Sequence, residues 1–160
     1  MGGRGPGDPP AAAGPAPRAR RGHARRRSAR RHAIDVLYQA DVMGRPPSEV
    51  LADWRAAGRS IAPYSEEIVR GVESDLPLID ELLGASSEGW TVARMANVDR
   101  TILRVACHEL RAGVPAAIAI NEAVQAANEL STEDSGRFVN GVLGRIARDL
   151  GQEPGAAAPG

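Results

Sequence analysis

Five arginines within seven residues, Arg25-Arg26-Arg27-Ser28-Ala29-Arg30-Arg31, are the densest concentration of chemistry in this chain. A guanidinium offers a planar fork of donors to phosphate oxygens, and its face stacks on unpaired bases. Arginine-rich segments commonly order on RNA. A solubilising tail is the bland alternative. The run lies directly ahead of the first apolar helical stripe, not scattered through a tail, and that favours binding. Charge alone would also admit DNA, but nothing downstream reads as a helix-turn-helix with an arginine-rich recognition helix.

Other reactive groups offer little. His23, His32 and His108 are scattered without metal-ligand spacing. Cys107 and His108 are adjacent, so on a helix they point about 100° apart, a poor geometry for nucleophile and base. Cys107 reads as core. A single cysteine excludes an internal disulfide and a cysteine-rich zinc site. There is no lysine, so no glycine-rich phosphate loop ending in Lys. Glu66-Glu67 and Glu133-Asp134 read as solvated or capping carboxylates. The chain calls for no catalysis, no metal and no cofactor.

The charge is unevenly spread. Residues 1–31 carry nine of the 20 arginines and one acid, Asp8, so that segment is about +8 while the remainder is about −8. A basic arm on an acidic body suits a polyanionic partner for the arm. Total arginine content carries less weight, since a GC-rich genome gives the same Arg, Ala and Gly bias. No apolar run approaches the roughly 18 residues needed to span a bilayer. The basic N-terminus has no apolar segment of the kind that marks a secretory signal. It is rich in Pro and Gly and poor in Ser, unlike a transit peptide, and a cytoplasmic protein is expected.

The elements that must position the arm read as helices throughout. Residues 1–24 and 151–160, built from Gly, Pro, Ala and Arg, are expected to be disordered tails around a domain at 25–150. The first helix is expected over Arg26 to Met43, with Ala33, Val36, Leu37 and Ala40 on one stripe. Ser48 is a candidate N-cap for a short helix carrying Val50, Leu51 and Trp54. A third helix starts near Pro63 with Tyr64, Ile68 and Val72 inward. Pro77 should kink or restart the chain, and a fourth segment carries Ile79, Leu82 and Leu83. Asp99 is expected to open a helix bearing Ile102, Leu103, Ala106 and Leu110. The next carries Ile118, Ala123, Val124 and Ala127. The last opens on the capping pattern Ser131-Thr132-Glu133-Asp134 and buries Phe138, Val142, Leu143 and Ile146. About seven short amphipathic helices make an all-α compact bundle.

Five segments then carry a family resemblance: RRRSARRHAIDVLYQAD, EEIVRGV, NVDRTILRVACHEL, VPAAIAINEAVQAANEL and EDSGRFVNGVLGRI. INEAV and FVNGVL, in that order and spacing, are the most specific. Over about residues 25–148 the chain resembles the transcription antitermination factor NusB family. The resemblance implies two helical halves and binding to the boxA element of ribosomal RNA transcripts. It also implies a partner, the small-subunit ribosomal protein NusE, and a place in the RNA polymerase antitermination complex. Carried onto this chain, it implies RNA contacts at Arg26, Arg27, Arg30, Tyr38, Asp134 and Phe138. Arg25 and Arg31 join them from the same run, and Asp99 matches a position facing NusE. Each also has a plainer role, Tyr38 and Phe138 as core and Asp99 and Asp134 as caps. Asn121 and Asn140 read as buried hydrogen-bonding groups. Pro77, the 24-residue extension and Ser28 depart from the family pattern. Monomer and homodimer both stay open. The rival readings are an adaptor or dimerisation module without RNA binding of its own, and the related accessory domain of ribosomal RNA cytosine methyltransferases. Against the latter, nothing after residue 150 reads as a cofactor-binding domain.

Overall fold

The computed structural model describes residues 17–152, with side chains from residue 21. Residues 1–16 and 153–160, most of the two expected tails, lie outside the described residues. Helix α1, Pro17–Met43, begins well before the expected start at Arg26 and takes in residues 17–24 of the presumed tail. The extension has a local cause. Arg and Ala are strong helix formers, and Pro17 occupies the first turn, where no donor is lost. Residues 29–40 are nucleated by packing, and propagation outward is far easier than nucleation. The side chains of residues 21–28 are exposed, so apolar burial adds little there.

The rest follows the expected order: α2 Pro47–Ala56, α3 Pro63–Ser74, α4 Leu76–Ser86, α5 Asn97–Arg111, α6 Ala116–Leu130 and α7 Glu133–Asp149. A single 3₁₀ turn, Val92–Arg94, precedes α5. Among the described residues there is no strand. The two halves are α1–α3 and α4–α7, and α5 packs against helices of both. One apolar core joins them, with Leu51, Ile68, Ile79, Leu103, Leu110 and Leu143 essentially inaccessible. Gly44 and Gly113, with φ of 64° and 93°, turn the chain out of α1 and α5 in a conformation other residues resist.

Several local expectations change. Ser48 does not cap α2. Pro46 holds that position, and the Ser48 backbone N–H and hydroxyl both donate to Glu73, tying α2 to α3. Asp99 does not open α5; Ala96 precedes Asn97, and Asp99 lies in the first turn. Pro77 does restart the chain, since Asp75 both ends α3 and precedes α4. The cap of α7 is Thr132, whose hydroxyl accepts from the Ser135 backbone N–H at 3.1 Å. Ile118 is exposed, not core. Asn121 and Asn140 are exposed as well and line an open groove between α6 and α7 with Asn128. Both stand mid-helix, but α6 and α7 turn that edge outward.

Candidate nucleic-acid interface

Burial sorts the arginines of α1 into different roles. Arg25, Arg26 and Arg27 are exposed and Arg31 is half-buried, whereas Arg30 is buried at 6% exposure. Arg30 donates through Nε and Nη2 to both oxygens of Glu109 on α5, at 2.6 and 2.8 Å. Tyr64 on α3 donates its hydroxyl to the same carboxylate at 2.6 Å. Burial alone would lower the Arg30 pKa, but the hydrogen bond and charge of Glu109 raise it above the usual value. Burial, with help from Glu109, pushes the Tyr64 phenol up to about 12. This charge-balanced triad joins α1, α3 and α5. The Arg30 guanidinium is committed inside the protein, unlike those of the exposed arginines expected to meet RNA.

The other arginines are held at the surface. Arg27 meets Glu122 on α6 in a two-pronged pair, Nε at 3.1 Å and Nη2 at 2.9 Å. The hydrogen bonds that Arg27 donates to Glu122 are the main reason its pKa rises. Arg31 donates to Glu129 at 2.7 Å. The Arg26 guanidinium lies 5.2 Å from the Tyr64 ring centroid, within cation–π range. Arg25 has no ion-pair partner among the described residues. Tyr38 is 43% exposed and not core. Arg27, Arg31 and Tyr38 are spaced i, i+4, i+11 and share one stripe, with Tyr38 about 10.5 Å beyond Arg31 along the axis. Val42, also exposed, continues that stripe, and the exposed Met43 ends the helix on another face.

Asp134 and Phe138 lie on α7. They line a cleft of about 480 Å³ with Trp90, Arg94, Met95 and Asp99. Phe138 is half-buried and meets Trp90 edge-on, with centroids 6.3 Å apart. Asp134 is exposed and pairs with Arg137 at 3.3 Å. Asp99 accepts from the Ser135 hydroxyl at 3.1 Å, while its second oxygen is buried without a partner. The position expected to face a protein partner thus shares a cleft with two positions expected to face RNA. Trp90 is absent from the candidates that the sequence supplied. With two tryptophans in the chain, one in a polar loop was the available signal.

The remaining reactive groups are accounted for by packing. Cys107 is fully buried, as expected, and burial raises its thiol to about 11, so it is not a nucleophile. His108 is half-buried with a lowered pKa, mainly from desolvation, and packs onto Gly71 of α3. Among the described residues no cluster of three His, Cys, Asp or Glu could hold a metal ion. No described helix is long and apolar enough to cross a membrane.

Comparison with known proteins gives a consistent result. The sequence profile of the NusB family matches residues 27–148. The transcription antitermination protein NusB of Salinispora tropica is 47% identical over 128 residues, covering 76% of this chain and 94% of that protein. Among solved structures, T. maritima NusB superposes with a TM-score of 0.69 at 31% identity, over 81% of this chain and 93% of that one. A structure of antitermination factors NusB and NusE with double-stranded RNA gives a TM-score of 0.68 at 24% identity, over 78% and 96%, and shares the fold. The profile spans all seven helices, including the exposed stripe of α1 and the cleft on α7, and the chain belongs to the NusB family.

Proposed function

We propose that this protein binds boxA-type single-stranded RNA of ribosomal RNA transcripts together with NusE, and so helps RNA polymerase read through terminators. One observation carries the reading: Arg27, Arg31 and the exposed Tyr38 form a single stripe on α1, phosphate-binding groups leading to a base-stacking ring. The Trp90–Phe138 cleft supplies a second aromatic surface. Antitermination proteins of the same family and a NusB–NusE–RNA structure of the same fold support it. Asp99 and the apolar Tyr38–Met43 end of α1 are the NusE-facing candidates. The reading assigns the chain no catalysed reaction and places it with the cytoplasmic transcription apparatus.

The test is titration of labelled boxA-type RNA, with and without NusE, with mass measurement of the species formed. Arg27→Ala/Arg31→Ala should weaken binding. It should also flatten the log–log salt dependence by about 0.7 per lost phosphate contact. Arg30 stays intact in this variant, since its loss would report on folding. Unchanged affinity and slope would refute the assignment. A homodimer is favoured by one observation, the exposed run of Tyr38, Val42 and Met43. The same mass measurement decides it.

A further inference from the structure

We infer that Glu122 and Glu129 on α6 are positioning residues for the arm, acting as resident anions that RNA phosphates must displace. The inference rests on the RNA-binding reading above. The Arg27–Glu122 pair uses both prongs of the guanidinium, the same fork that a phosphate would take. The two partners are unequal. The Arg27 side chain is 49% exposed and Glu122 is 13% exposed, so the arginine is the partner free to turn outward. Glu122 also lies 3.8 Å from Nη1 of Arg30. When Arg27 leaves, the carboxylate keeps a cation beside it, and no half-buried charge is stranded. Arg31–Glu129 is a single contact to a carboxylate that is 54% exposed, and exchanges more readily still.

The three pairs are therefore graded. Arg30 is locked to Glu109, Arg27 is held but exchangeable, and Arg31 is held loosely. In the free protein Glu122 and Glu129 fix Arg27 and Arg31 along the stripe that ends at Tyr38. They also lower the arm's affinity for any polyanion, because an attached competitor acts at high effective concentration. Exchange precedes base readout, so the penalty is the same for every RNA sequence. Each exchange releases a carboxylate that takes up a cation, which offsets part of the counterion release on binding.

Glu122→Gln/Glu129→Gln should raise affinity for a boxA-type RNA and for a homopolymer of equal length by the same factor. That factor is about 2- to 30-fold, the range for two exposed ion pairs. The salt dependence should become steeper. Glu129→Gln alone, which leaves the Arg30 triad untouched, should give part of the rise. Glu67→Gln/Glu81→Gln makes the same charge change at exposed residues that pair with no arginine of the arm and should give a smaller rise. Thermal melts establish that each variant is folded. Unchanged or weaker binding overturns the inference, as does an equal rise in the charge-matched control. No RNA binding by the unaltered protein sinks the functional reading as well, whereas normal binding without the rise sinks this inference alone.

Discussion

Arg30 shows how far letters alone mislead at the scale of one residue. In the sequence it is indistinguishable from its four neighbours in the run. The helical period did hold a clue: Arg30, Ile34 and Leu37 are spaced i, i+4, i+7, and all three are buried. What the sequence could not show is Glu109, 79 residues away, which makes that burial tolerable. A buried charge that loses its partner is costly, while the pair as a whole contributes little against well-packed apolar residues. Arg30→Ala or Glu109→Ala alone should therefore cost about 3–5 kcal/mol in urea unfolding. Arg30→Met/Glu109→Met, with Tyr64→Phe to remove the third polar group, should recover most of that loss. A single variant within about 1 kcal/mol of the parent would show that the triad is solvated in solution. RNA affinity per folded molecule should change little in the repacked variant, which separates Arg30 from Arg27 and Arg31.

At the scale of elements, the order and number of helices were legible because each carries an apolar stripe and most end near Gly or Pro. The start of α1 was not. Helix propensity acts on Arg and Ala whether or not the segment packs, and composition had suggested a tail. The exposed Asn121 and Asn140 were misread because period locates a residue relative to its own helix, not to the helix beside it. Glycines behave likewise. Gly71 and Gly136 both lie inside helices, and at both a methyl group would collide with a neighbour. At Gly71 the neighbour is the half-buried His108 ring between α3 and α5; at Gly136 it is the end of the exposed Asn128 side chain. Replacing Gly by Ala gains about 1 kcal/mol of helix propensity at either site. Gly71→Ala should nonetheless destabilise by about 1–3 kcal/mol, because a wedged ring cannot move aside. Gly136→Ala should be neutral or stabilising, since Asn128 can swing into solvent. Equal effects in chemical unfolding would mean that α3 and α5 are less closely packed than they stand here.

Across the whole molecule, the residues that the family motifs single out for RNA lie on two helices. The arginines and Tyr38 lie on α1, and Phe138 lies on α7 in a cleft with Trp90 and Asp99. The division was hidden because sequence motifs carry no distances between helices. It makes a prediction that a single compact site would not. Arm and cleft residues share no hydrogen bond or ion pair among the described residues. The two should therefore contribute independently to one bound strand. Phe138→Ala should cost about 1–3 kcal/mol of binding through lost stacking, with the salt slope unchanged. Arg27→Ala/Arg31→Ala should lower both affinity and slope. The combined variant should show the sum of the two losses to within about 0.5 kcal/mol. Because Phe138 also packs against the core, each protein must melt as a folded domain before its binding is compared. A fragment of the RNA long enough only for the arm should ignore Phe138→Ala altogether. If that fragment loses affinity too, or if Phe138→Ala alters the slope, the α7 cleft acts through the fold and not through the RNA. RNA recognition would then rest on the stripe of α1.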